Sequence, residues 1–221
     1  MKKVYIIHGW DGSPEEPMLV WLKNKLEEKG FQVFCPIMPE TAKPKIEKWI
    51  KKLNEIVKNP DKNSYFVGHS IGCQAVLRYL SQVNPEVKIG GVVLIAPWME
   101  LDENTLEEEG EEVREIARPW METPIDWNKI KITTQQAVGI FKPQTETDRS
   151  IDSVRAIKKH TDKFVCILSD NDSYVPLSNA ELFKEKLNAK IIIEHDKGHY
   201  TAGDNVKENR TVVEELMKMV I

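Results

Sequence analysis

The chain has 221 residues, 41% of them hydrophobic and 30% charged, with a formal net charge of −4. That is enough chain for one sizeable core and a modest insertion, so a single domain over residues 1–221 is expected. An acidic balance without a basic stripe argues against a nucleic-acid surface, and no apolar run approaches the roughly 20 residues that cross a bilayer.

In chain order, Val4-Tyr5-Ile6-Ile7 opens a strand over 3–8. It starts too close to Met1 to leave room for a signal peptide, so a cytoplasmic protein is expected. Pro17 suits a helix start, Leu19, Leu22 and Leu26 share one face, and Gly30 supplies a stop. A strand over 31–36 follows. Ile46, Trp49, Ile50, Leu53 and Val57 recur at i, i+3, i+4, i+7 and i+11 before Asn59-Pro60, which predicts a helix. Strands over 64–69 and 90–96 come next. Residues 98–149 then break the alternation. Nine acidic residues lie between Glu100 and Glu115, and Trp120, Pro124 and Trp127 follow. The acidic run reads as a solvated helix face, whereas the aromatic part predicts a cap above the strand ends. Strands over 163–169 and 189–195 lead to a final helix with Val213, Leu216, Met217 and Val220 on one face. Short β-branched runs alternating with helical segments predict a parallel sheet covered by helices on both faces.

One motif points to chemistry. Gly68-His69-Ser70-Ile71-Gly72 lies between an apolar strand and a helical stretch, the setting of a nucleophile elbow, where a strained turn exposes the serine Oγ. The five-residue pattern alone occurs by chance in roughly one chain in fifteen of this length. A serine hydroxyl also needs a base oriented by a carboxylate. In α/β-hydrolase architecture these follow in the order Ser, acid, His, each in a loop after a later strand. The fifth strand runs into Ser169-Asp170-Asn171-Asp172-Ser173-Tyr174-Val175-Pro176, and the sixth into Glu194-His195-Asp196-Lys197-Gly198-His199. Asp172 stands three residues before Val175-Pro176, the usual hydrolase spacing, so Asp170 reads as a turn residue. His199 follows Gly198, which lets the backbone bend, whereas His195 still belongs to the strand.

The string His195 to His199 lacks the helix that a zinc-binding H-E-x-x-H needs, and no metal or cofactor is expected. Cys35, Cys73 and Cys166 sit in apolar segments and read as buried free thiols. His8 and His69 read as structural hydrogen-bonders and His160 as a surface helix residue. The N–H of Ile71, after the nucleophile, and that of Trp10, after the His8-Gly9 pair, are the candidate oxyanion-hole donors.

Ile6-Ile7-His8-Gly9-Trp10, Met38-Pro39, the Ser70 motif, Arg118-Pro119-Trp120, Asp172 before Val175-Pro176, and Gly198-His199 together resemble a known group. It is the small α/β-hydrolase-fold serine hydrolases of the retinoblastoma-binding-protein and YdeN-like type. The resemblance implies an α/β-hydrolase fold with a six-stranded parallel sheet in the order 2-1-3-4-5-6, and Ser70, Asp172 and His199 as its triad. The chain departs from the shortest members between residues 99 and 160. A small-molecule acyl ester is the expected substrate, cleaved through an acyl-enzyme. The alternatives are a non-catalytic protein-binding scaffold retaining the fold, or a related acyl transferase or amidase.

Overall fold

The computed structural model describes residues 1–130 and 161–220. The apolar runs become β1 (Lys3–Ile7), β2 (Gln32–Phe34), β3 (Ser64–His69), β4 (Gly91–Ile95), β5 (Phe164–Ser169) and β6 (Lys190–Glu194). All pair in parallel in the order 2-1-3-4-5-6, as the resemblance implied. β3 and β4 are buried at every position, as strands covered on both faces must be. The chain steps outward from β1 to β2 and returns to the other side of β1 with β3. That reversal opens a crevice beyond the carboxyl ends of β1 and β3, where the His8-Gly9-Trp10 turn and Ser70 emerge.

α1 (Pro17–Glu28) starts on its proline and buries Met18, Leu19, Leu22 and Leu26. α2 (Ile46–Ile56) buries Trp49, Ile50 and Leu53. α3 (Ile71–Leu80) is buried at all ten positions, so the helix behind Ser70 is a fixed part of the core. α7 (Ser178–Leu187) and α8 (Arg210–Met219) complete the layers, with three insertion helices between them and α3 among the described residues.

The C-terminal helix forms where expected, but on a different stripe. It buries Val212, Glu215, Leu216 and Met219 and leaves Met217 exposed. Both stripes have helical period and share Leu216. The one chosen brings the Met219 side chain against Gly91 and lets Glu215 Oε1 accept bonds from Lys190 (2.8 Å) and Lys218 (2.7 Å).

The insertion begins with α4 (Glu103–Glu109), α5 (Glu111–Glu122) and α6 (Trp127–Ile130). Asp102 caps α4 by accepting the Thr105 N–H. At one end α4 holds the loop after β5: Asp102 N–H donates to Tyr174 O (2.9 Å), and Tyr174 O–H donates to Glu109 (2.7 Å). At the other, Lys43 in the loop after β2 pairs with Glu112 of α5. The acidic residues are largely solvent-facing, as read from sequence. Trp120 anchors this segment to the core. Its ring is wholly buried, edge-on to Trp49 at 5.8 Å, and its indole N–H donates to Pro44 O at 3.0 Å. A large ring with one donor is best accommodated in a core that supplies an acceptor, and α2 with its preceding loop does so. Buried Arg78 of α3 then closes the end of α5 by donating to Trp120 O (2.8 Å) and Thr123 O (2.7 Å). The rest of the expected insertion, and His160, lie outside the described residues.

Candidate active site

Ser70 occupies the turn between β3 and α3 with φ 52° and ψ −124°. A non-glycine residue there costs about 1–3 kcal/mol, sustained only where the surroundings enforce it. They do so here from both sides: Ser70 N–H donates to Ile95 O on β4, and Cys73 N–H donates to Ser70 O, each at 2.9 Å. The strained turn delivers Oγ to 2.9 Å from His199 Nε2.

The loops after β5 and β6 are laced together. Lys197 N–H donates to Ser169 Oγ (3.0 Å) and Gly198 N–H to Asn171 Oδ1 (2.8 Å). Gly198 takes φ 51°, and Asp204 Oδ2 accepts the His199 and Thr201 N–H groups, closing the His199 turn. His199 Nδ1 then meets Asp172 Oδ2 at 2.8 Å. Asp172 Oδ1 accepts the N–H groups of Tyr174 (2.9 Å) and Val175 (3.1 Å), so each carboxylate oxygen has a fixed partner. Asp172 is 1% exposed and His199 15%, so the carboxylate is sealed while the imidazole edge reaches the crevice. Ser70, His199 and Asp172 thus form one hydrogen-bonded chain.

The Ile71 N–H is the first amide of α3, where a helix leaves its donors unpaired. Neither it nor the Trp10 N–H has an acceptor among the described residues. Gly9 lies alongside: a Cβ there would stand 3.4 Å from the Ser70 Cβ. Asp170 lies apart from this chain, paired with exposed His195 at 2.5 Å and accepting the Asp196 N–H. His195 falls one residue past β6.

A family model described as "Serine hydrolase" matches residues 4–216. The chain belongs to that family. It is 36% identical to the YdeN protein of Bacillus subtilis (strain 168) over 95 residues, a match spanning 43% of this chain and 50% of that relative's length. The crystal structure of the ydeN gene product superposes over 100% of this chain and 99% of that one, with a TM-score of 0.76 at 23% identity. A monoacylglycerol lipase from Paleococcus ferrophilus shares the fold over 98% of this chain and 94% of its own (TM-score 0.61, 18% identity). So does a structure from a study of carboxylesterases of Nitrososphaera gargenis, over 99% and 89% (TM-score 0.59, 14% identity).

Two residues of this serine hydrolase's site, Trp98 and Glu16, were not identified from sequence. Trp98 is buried and its indole N–H donates to Ser70 Oγ at 3.4 Å. Only its position three residues past β4 could have signalled it. His69 Nε2–H donates to the His199 main-chain carbonyl (2.9 Å), tying His199 to the Ser70 turn. Its Nδ1 faces Glu16 Oε2 at 3.8 Å. His69 thus has the structural hydrogen-bonding role expected, and so does His8, donating through Nδ1 to Gly9 O and accepting the Met38 N–H at Nε2. Cys73 and Cys166 are buried free thiols as expected, whereas free Cys35 is only partly buried.

Burial, with His199 nearby, pushes the His69 pKa from its ordinary 6.5 down to about 4. A histidine depressed in the folded state binds its proton more readily when unfolded, so its contribution is complete above the unfolded value and is lost as pH falls below it. Between pH 7 and pH 4 this one group should remove about 3 kcal/mol of stability. Urea titrations at both pH values should give a difference smaller by that order in His69→Gln, whose amide can still donate to the His199 carbonyl.

Proposed function

We propose that this serine hydrolase is a carboxylesterase acting on small acyl esters through an acyl-enzyme. The observation that carries the reading is the Ser70–His199–Asp172 chain, with hydrogen bonds of 2.9 and 2.8 Å. His199 Nε2 takes the Ser70 proton as Oγ attacks the acyl carbonyl, and Asp172 keeps the other imidazole proton on Nδ1. The same proton goes to the departing alkoxide, and His199 then activates the water that cleaves the acyl-enzyme. The Trp10 and Ile71 amides receive the oxyanion of both tetrahedral intermediates, and preorganised donors of this type contribute about 3–4 kcal/mol each. Trp98 adds a donor on Oγ itself. The scheme places no demand on a metal or cofactor.

An ester is favoured over an amide because an alkoxide leaves more readily than an amine. The fold shared with carboxylesterases and a monoacylglycerol lipase supports the same choice. We read α4 and α5 as the start of a cap, since they tie to the loops after β5 and after β2, on either side of the crevice. Their acidic surface would disfavour polyanionic substrates. No helix among the described residues is long and apolar enough to cross a membrane, and three free thiols suit a reducing compartment such as the cytoplasm.

The protein should turn over p-nitrophenyl acetate and butyrate faster than the matching anilides. A fluorophosphonate should modify Ser70 alone, and Ser70→Ala should lose both turnover and labelling. Undiminished turnover in Ser70→Ala, or label on another residue, would overturn the reading. Competing alcohol acceptors separate hydrolysis from transfer by the products formed.

A further inference from the structure

A parallel sheet ends in two edges, and the unpaired N–H and C=O groups along an edge template a further strand unless something blocks them. At one edge β2 has three residues, and Pro36 follows two residues after it. At the other, β6 has five residues, Lys190–Glu194, with no proline, glycine or central charge. Its centre is Ile191-Ile192-Ile193. Ile193 is 38% exposed and the other two are only half-buried, although helices cover both faces of the sheet. β-Branched residues on an open edge are well suited to strand addition.

The direction of the free backbone groups is fixed by one bond. Asp170 N–H on the β5 side donates to Glu194 O at 3.1 Å, so Glu194 turns its polar groups inward. Along a parallel strand this alternates, so Ile192 and Lys190 also point inward while Ile191 and Ile193 point out. The outward groups of Ile191 and Ile193 have no partner among the described residues.

We infer that two copies of this chain associate by antiparallel pairing of β6 with β6, centred on Ile192, to give one sheet continuous across a symmetric dimer. In that register Ile191 of each copy faces Ile193 of the other as a hydrogen-bonded pair, and all the outward groups are satisfied. Ile192 meets its own counterpart in the non-hydrogen-bonded position between them. Lys190 falls opposite Glu194 of the second copy at both ends. Lys-Ile-Ile-Ile-Glu is therefore complementary to itself in charge and in shape, as a two-fold interface requires. Parallel pairing in register would set Lys against Lys and Glu against Glu. Both end charges already have partners within their own chain, Lys190 on Glu215 while 54% exposed and the Glu194 carboxylate on Thr211 Oγ1 and Asn209 Nδ2, and the cross-copy pairs add to these.

Sedimentation velocity over roughly a hundredfold concentration range should show a wild-type dimer. Ile193→Lys should raise the dimer dissociation constant at least about a hundredfold, with ester turnover per chain unchanged. Ile193→Pro removes only an outward donor and should act likewise. Ile192→Cys should give a disulfide-linked dimer on oxidation, because the side chains of a non-hydrogen-bonded pair approach closely. A monomeric wild type would overturn the inference. So would a folded Ile193 variant that stays dimeric, or an Ile192→Cys protein that does not cross-link. Ser70→Ala should dimerise normally, so this pairing stands or falls independently of the catalytic reading.

Discussion

Asp172→Asn should lower kcat by about 10⁴-fold with little loss of stability, whereas Asp170→Asn should leave turnover within a few-fold of wild type. The difference follows from what each carboxylate touches. Asp172 Oδ1 accepts the Tyr174 and Val175 N–H groups, and only an oxygen can do so. An asparagine at 172 must therefore keep its carbonyl there and turn its NH₂ toward His199 Nδ1, 2.8 Å away. Nδ1 then becomes the acceptor, and the imidazole proton moves to Nε2. That nitrogen, 2.9 Å from Ser70 Oγ, would donate to the nucleophile and could no longer take its proton. The loop stays in place, so a thermal melt should barely move. Asp170 bonds an exposed histidine and one backbone amide outside the Ser70–His199–Asp172 chain. Steady-state ester kinetics on the two variants decide the assignment. Equal losses would mean that both acids support the base, and a loss confined to Asp170→Asn would reverse their roles.

That Asp172, not Asp170, would meet His199 could be read from sequence because the pairing depends on local spacing. The loop that presents Asp172 also supplies the two amides that fix it, and Val175-Pro176 marks where that loop turns. His199 was legible for the same reason, since a glycine at φ 51° is needed just before it. The strands were legible from their β-branched runs, with bounds within two residues of those found. What escaped were contacts between distant segments. His69 binds a carbonyl 130 residues away, and Trp98 reaches Ser70 across the β3–β4 pairing. No periodicity carries such information. The partner of Trp120 was likewise not legible, because an aromatic residue in a charged segment reads equally as cleft wall or as core. The choice depends on whether Pro44 O is at hand to accept its indole proton. α7 left a faint signal, since its buried positions are Asn179, Phe183 and Leu187, and the polar member breaks the apolar stripe. Asn179 is buried for its bonds: it accepts the Met99 N–H and donates to Glu100 O, fixing the chain where the insertion begins.

Gly72→Ala should destabilise the protein by about 3 kcal/mol and reduce turnover even in the fraction that folds. A Cβ at this position would stand 2.3 Å from Ile7 O, 2.6 Å from His8 O and 2.9 Å from Ile7 C. All three are backbone atoms of β1 or its immediate continuation, so no side-chain rotation relieves the contact. Either α3 must lift from the sheet or β1 must move, and both are central: α3 is buried throughout, and β1 is paired on both sides. The displacement would pass directly into the His8-Gly9-Trp10 turn, and with it the amide proposed to receive the oxyanion. Gly203→Ala makes the control, because its Cβ would meet nothing nearer than Thr201 Oγ1 at 3.3 Å, a side-chain atom that can give. Urea denaturation of the two variants at pH 7 should separate them by at least about 2 kcal/mol. If Gly72→Ala matched Gly203→Ala, the α3–β1 contact would be compliant, and the close approach of the elbow to the His8-Gly9-Trp10 turn could not depend on it. If the two separate as expected, the second glycine of the motif serves chiefly to bring the elbow helix onto β1. That contact holds the nucleophile and both proposed oxyanion donors in one rigid block.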